Sequence, residues 1–299
     1  MSTGRILILV PLAYLGIFLF YPMASILSRS LGDSATLDLV PFRHLFGDAY
    51  YLGRTWFTIW QALVSTLLTL AIGLPAACLF AKYQFRGKTI MKALTTVPFV
   101  MPTIVVAMGF VALFGTQGVV NKTAMSLFGL ESPPIRITNT LTIIFMAHAF
   151  YNYAIVVRIV SALWANLNIH FEETAQMLGA GRVDTFYHVT LPLLLPAILS
   201  SAILAFAFSF TSFGVVLILG GSQFATLEVA IYELTAKMFR LPLAGALSVV
   251  QLIFTYLSLL LYVRLQENNT VKLDLMPQEA TVKRKTHLRE KIFVVIMVG

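Results

Sequence analysis

Charge is scarce in this chain: 11% of its 299 residues are Lys, Arg, Asp or Glu, against 58% apolar residues. With a mean hydropathy of +0.84, it lacks the polar surface that a soluble fold of this length needs, and an integral membrane protein is the expected class. Cysteine is almost absent. Cys78 stands alone, which excludes an internal disulfide and a cysteine-cluster metal site, and its place in an apolar run makes it a packing residue. No G-x-x-x-x-G-K-[ST] phosphate loop occurs, so the chain has no visible means of hydrolysing ATP itself. Neither H-E-x-x-H nor G-x-S-x-G is present, and His44, His148, His170, His188 and His287 fall on separate segments without metal-ligand spacing. No cofactor, no metal and no catalysis of its own are therefore expected. The apolar runs also lack central carboxylates, which argues against a proton-coupled carrier, because such carriers keep costly ionisable groups within the membrane.

What is present is length. Charge-free windows run over 6–28, 55–81, 93–121, 137–157, 185–227 and 241–263, each sufficient at about 1.5 Å per residue to cross a ~30 Å hydrocarbon core. The fifth is too long for one span, and Pro192 and Gly220-Gly221 bracket the crossing. An all-α polytopic protein with six spans follows, at about 6–28, 55–81, 93–115, 137–158, 192–220 and 241–264. Continuous apolar runs of this length do not suit a barrel, whose strands alternate in polarity. The first window is longer than a signal-peptide core and no A-x-A site follows it, so it reads as a retained helix.

Basic residues set the orientation. With the N-terminus inside, the cytoplasmic segments hold 14 of the 21 Lys and Arg residues and the outer segments 7, which places both termini in the cytoplasm. The net charge of +8 is thus a topology signal, and a nucleic-acid partner is not expected, since the basic residues are scattered. In the outer loop after the fifth span, Leu227, Ala230, Ile231, Leu234 and Met238 recur at helical spacing, predicting a short amphipathic helix along the membrane surface. Beyond a six-helix domain at 1–265, residues 266–291 form a polar linker. KIFVVIMVG then opens a further apolar run, so that 292–299 reads as the truncated start of a seventh helix.

One cytoplasmic stretch departs from this pattern. EETAQMLGAGRVDTFYHVTLPLLLP, residues 172–196 within a loop at 164–191, is compact and charged between two apolar runs. Asn168 is placed to cap a helix whose first turn carries Glu172 and Glu173. Gly179 and Gly181 allow a sharp turn, and Phe186 and Val189 share one face of a second short helix. Pro192 and Pro196 lie near the start of the fifth span, where a missing donor is tolerated.

Glu173 and Ala175, Gly179 four residues on, then nine residues to Val189, Leu191 and Pro192, resemble the E-A-A-x3-G-x9-I-x-L-P motif of ABC importer permeases. Thr174 and Val189 depart conservatively from Ala and Ile, and Gly181 stands where a capping Ser is common. GTQGVVNKTAMSLFGL, MAHAFYNYAIVVRIV and LGGSQFATLEVAIYE resemble the first half of fused permeases of the iron(III) and thiamine type. The resemblance implies the type I importer permease fold, in the inner membrane of a bacterium, forming a pathway for a small solute of the iron(III) or thiamine class. It implies as partners a cytoplasmic ATP-binding subunit, an extracytoplasmic binding protein and a second permease half. Glu173 would be the acidic contact or brace, Gly179 the elbow, and Leu191-Pro192 the connection to the core. The competing reading is an ion-coupled secondary transporter.

Candidate pathway residues are His148 and Asn152 on the fourth span, Ser209 and Ser212 on the fifth, and Gln251 and Thr255 on the sixth. Polar groups in hydrocarbon need partners, so these face the bundle interior; helix-to-helix bonding is the plainer role for each.

Overall fold

A computed structural model describes residues 11–31, 39–168, 170–221 and 223–268, and these are helical, with no strand among them. A π turn at Gly16–Phe20 leads into α1 (Tyr21–Leu31), followed by α2 (Val40–Gly47) and the long α3 (Ala49–Lys82). The short α4 (Lys88–Leu94) and α5 (Val97–Val100) precede α6 (Thr103–Phe114) and α7 (Val119–Phe128). Then come α8 (Leu141–Asn166), α9 (His170–Met177), α10 (Arg182–Thr185), α11 (Leu191–Phe210), α12 (Gly214–Leu219), α13 (Leu227–Tyr232) and α14 (Leu241–Asn268). The chain forms two compact units, one of residues 1–58 and 225–254, the other of 59–224 and 255–299.

Among the described residues, five helical stretches are long and apolar enough to cross a membrane: Ala49–Lys82, Thr103–Phe128, Leu141–Asn166, Arg182–Phe210 and Leu241–Leu265. They match five of the six predicted windows. The described part of the first window contains a shorter apolar helix, Pro11–Ser25. The linker from 269 onward and the apolar start at 292–299 lie outside the described residues.

A proline explains where the third span departs from its window. The third span was expected from 93, but α6 begins only at Thr103. Met101 is extended at φ −70° and ψ 142°, the conformation that a residue before proline favours because the Pro102 ring crowds the helical region. The fifth window is also two helices, α11 ending at Phe210 and α12 starting at Gly214, with no proline at the break.

The larger unit is built on α8, which buries 14 side chains, among them Ala147, Ala154, Val156, Val160 and Trp164. Against it pack α11, through Leu194, Ala197 and Ile198, and α3, through Ala77 and Ala81, with Cys78 half-buried at the edge of that cluster. Small residues allow the backbones to approach closely, which matters where helices gain nothing from leaving water. Gly73 is the extreme case: a Cβ there would lie 2.7 Å from Cβ and Cγ1 of Val156. Asn121, fully buried, donates to the carbonyls of Gly115 and Ile135 at 2.8 Å and accepts from the Ile135 amide at 2.9 Å, closing the loop around α7.

In the smaller unit, Leu227, Ala230 and Leu234 of the expected surface helix are buried, as is Val229, while Met238 is 57% exposed. The segment is thus covered by protein on more than one side. The Leu227 amide donates to Thr58 Oγ1 at 3.0 Å, and Gln251 Nε2 donates to a Glu228 carboxylate oxygen. Burial raises the Glu228 carboxyl above its ordinary range, and the bond from Gln251 lowers it in part. Gln251 lies ten residues into α14, about 15 Å along the helix, so a loop carries this carboxylate alongside the apolar helix α14.

Candidate functional site

The module between α8 and α11 is built from its caps. Asn168 Oδ1 accepts from the His170 amide at 3.0 Å, the capping bond expected at the start of α9. At the other end the Gly179 amide donates to the Gln176 carbonyl and the Ala180 amide to the Ala175 carbonyl, both at 3.0 Å. This pair of bonds is the Schellman motif, which requires a left-handed residue after the helix. Gly179 supplies it at φ +92°. Ala175 and Gly179, two fixed points of the sequence motif, are therefore the first and fifth residues of one hydrogen-bonded elbow.

After the elbow, Gly181 begins α10 without a side-chain cap; its carbonyl accepts from both the amide and the hydroxyl of Thr185, at 2.9 Å each. A π turn at Phe186–Thr190 leads into α11. Phe186 and Val189 are half-buried on the inner side, with the Phe186 ring 6.2 Å from that of Trp164. Leu191 packs on the core cluster of α3, α8 and α11, and Pro192 sits in the first turn of α11 directly after the π turn, where its missing amide interrupts the helical bond ladder. The outer side is apolar as well: Met177 is 88% exposed, Leu178 84% and Val183 67%.

The two carboxylates of α9 have different surroundings. Glu173 is directed outward and meets only His170, 3.1 Å away on the same helix. Glu172 faces inward, with both carboxylate oxygens 2.9 Å from Lys82 Nζ at the end of α3. Its Oε1 also accepts from Thr190 Oγ1 at 2.8 Å. Of the two roles the resemblance implies for Glu173, acidic contact or brace, the inward bracing is made by its neighbour Glu172, while Glu173 lies on the outer face beside His170. Lys82 and Thr190 were not singled out from sequence. Lys82 could have been: it is the first charge after the second window.

Four of the six candidate polar residues come together inside the larger unit. His148 is fully buried between two hydroxyls, Nδ1 lying 2.9 Å from Ser65 Oγ and Nε2 2.8 Å from Ser212 Oγ. A neutral imidazole suits both, donating at one nitrogen and accepting at the other. One turn on, Asn152 Nδ2 donates to Ser209 Oγ, and Gln61 Nε2 to the Ser209 carbonyl, at 2.9 Å each. These bonds tie α3, α8 and the end of α11 together, with Gln61 and Ser65 as members that sequence reading missed. Gln251 belongs to the smaller unit, bonded to Glu228; Thr255 is half-buried on α14.

Replacing His148 by Leu strands the Ser65 and Ser212 hydroxyls. Leaving buried polar groups unpaired costs about 1–3 kcal/mol, whereas removing all partners together costs less. We expect His148→Leu to lower the thermal midpoint of the detergent-purified protein, and the triple variant with Ser65→Ala and Ser212→Ala to recover part of the loss.

Residues 70–269, about two thirds of the chain, match the family described as binding-protein-dependent transport system inner membrane component, and the chain belongs to this family. It is 32% identical over 195 residues to the sulfate transport system permease protein CysT of Salmonella typhimurium, covering 64% of this chain and 68% of that protein. It is 31% identical over 256 residues to the thiamine transport system permease protein ThiP of Brucella abortus, covering 84% of this chain but 46% of ThiP. The chain therefore spans about half the length of ThiP. In fold it resembles a bacterial ABC transporter involved in the import of the acidic polysaccharide alginate, with a TM-score of 0.70 at 18% identity over 87% of this chain and 94% of that one. The protein is thus a multi-pass membrane permease component of the ABC importer class, a transport subunit, and the ion-coupled carrier reading falls away.

Proposed function

We propose that this chain forms the solute pathway of an ATP-driven importer in a bacterial inner membrane, with six spans and both termini in the cytoplasm. The residues at 164–191 dock on a separate ATP-binding subunit, a second permease half, fused or separate, completes the pathway, and an extracytoplasmic binding protein delivers a small solute. Glu173, Ala175, Gly179, Val189, Leu191 and Pro192 form the coupling element: Glu173 makes the outward contact, Ala175 and Gly179 shape the elbow, and the last three join it to the core.

The observation that carries this reading is the exposure of Met177 and Leu178 beside Glu173, at the tip of a capped elbow. Large apolar side chains held in water on a rigid projection are characteristic of a surface that another protein covers. Within an importer-permease family, that protein is the one supplying ATP. In membranes co-expressing a tagged permease with its ATP-binding subunit, Glu173→Lys should leave insertion unchanged and reduce co-purification of the subunit about tenfold or more. A charge reversed in a contact commonly costs 2 kcal/mol or more, and 1.4 kcal/mol is tenfold. Unimpaired association would count against the docking role.

For the solute we favour iron(III) or thiamine, on the likeness to ThiP over 84% of the chain. Uptake of radiolabelled thiamine and iron(III), with sulfate as comparison, tests this in cells lacking their own importers. Accumulation of sulfate alone would exclude the assignment.

A further inference from the structure

Among the described residues, the contact His170–Glu173 and the ion pair Lys237–Glu233 join residues three or four apart on one helical segment, and only the ion pair Lys82–Glu172 joins separate elements. Its members are 32% and 25% exposed, and Trp164 covers the ammonium, which lies 5.6 Å from the ring centroid. Thr190, 2% exposed, adds a third point of attachment at the entry to α11. Glu172 on α9 is thereby fastened both to the end of one apolar helix and to the start of another. Ala81, Leu167, Phe171 and Leu193 line a small cavity of about 40 Å³ beside it. The Schellman elbow continues the same helix outward to Glu173 and Leu178.

This arrangement has a mechanical meaning. Held to the spans only by the connecting backbone and by the packing of Phe186 and Leu191 on the core, α9 itself could tilt without moving α3. With both carboxylate oxygens on one ammonium, and one of them also on a hydroxyl, tilting breaks three charge-assisted bonds, each about twice as strong as a neutral one. Partial burial raises the penalty for separating the charges. We propose that Lys82, Glu172 and Thr190 are positioning residues for energy coupling: they clamp α9 to α3 and α11, so that movement imposed on the module becomes movement of the spans. This rests on the reading above that an ATP-binding subunit drives the module.

The test uses the full complex in nanodiscs, in a Cys78→Ala background. Spin labels at Val183→Cys on α10 and Gln84→Cys beyond the end of α3 report their separation, with and without ATP and vanadate. With the clamp intact, the distance distribution should be narrow and the same in both states. With Glu172→Gln or Lys82→Ala it should broaden and shift on adding nucleotide, while the ATP-binding subunit still co-purifies. The exchanged pair Lys82→Glu with Glu172→Lys should restore the narrow distribution, which a general loss of stability would not allow. A distribution unchanged by Glu172→Gln, or a failure of the exchanged pair to restore it, overturns the clamp. Loss of the ATP-binding subunit from Glu172→Gln alone makes Glu172 a docking residue, and also overturns it. Failure of the unsubstituted permease to retain any ATP-binding subunit instead defeats the proposed function. The nucleotide-free distributions then still decide whether the three residues hold α9 to α3.

Discussion

Replacing Gly179 by Val should leave the permease inserted and folded but abolish its coupling to ATP hydrolysis. Gly179 adopts φ +92°, a conformation that costs ordinary residues about 1–2 kcal/mol and is a genuine outlier for β-branched ones. A Cβ at this position would meet nothing within 4 Å, so the cost is torsional and no neighbour can relieve it by making room. The elbow is held by two bonds from the amides of Gly179 and Ala180, and the Ala180 bond, which closes back over Gly179, depends on that torsion. At about 1.4 kcal/mol per factor of ten, Gly179→Ala should reduce the docked population roughly tenfold, and Val further. Asn, which tolerates left-handed geometry through its short polar side chain, should be the mildest replacement. The readout is co-purification of the ATP-binding subunit together with uptake. The order Asn, Ala, Val is the signature of a torsional cause; equal losses for all three would point to a requirement other than backbone geometry.

The second large effect is expected where α3 crosses α8. A methyl group at Gly73 would lie 2.7 Å from two carbons of Val156, well inside van der Waals contact, and both atoms belong to rigid helices. Overpacking of this kind typically costs about 1–3 kcal/mol for a small addition, and Gly73→Leu should exceed that and prevent accumulation of folded protein. Gly73→Ala should insert but show a lower thermal midpoint in detergent. Val156→Ala removes only Cγ1 and Cγ2 and should rescue it partly; Val156→Gly also removes the offending Cβ and should rescue it further. The same core holds the hydroxyl–imidazole bonds of His148, so a shifted α8 would disturb those as well.

Much of this architecture was legible in the chain because the membrane imposes simple demands. Backbone polar groups must be satisfied within helices, and helices must be long, so counting charges located five apolar stretches without reference to packing. The elbow was legible because a Schellman motif needs a glycine at a fixed distance from the helix it ends, and Asn168 because a cap must precede the first turn. The identity of the inward carboxylate was not. Adjacent residues on a helix point about 100° apart, and only the placement of α9 against Lys82 decides that Glu172 turns in and Glu173 out. Gln61 and Ser65 escaped notice because the second window was read for charge alone, and uncharged polar groups are tolerated there once each finds a partner on another helix. The breaks at 101–102 and 211–213 were also missed, since hydropathy averages over a window while a helix can be interrupted at a single torsion, as Pro102 does at Met101.

The bonds around α13 also order events in time. A ribosome delivers Thr58 first, then the segment at 225–228, and Gln251 only later. When Leu227 emerges, the hydroxyl that will accept its amide already exists; when Glu228 emerges, the amide that will hold its carboxylate does not. An unpaired carboxylate is costly to remove from water, so this loop closes last, after the helix that follows it has been threaded into the bilayer. The span of α14 is thus a condition for completing the segment before it, and biogenesis of the smaller unit runs, at that point, against the direction of synthesis.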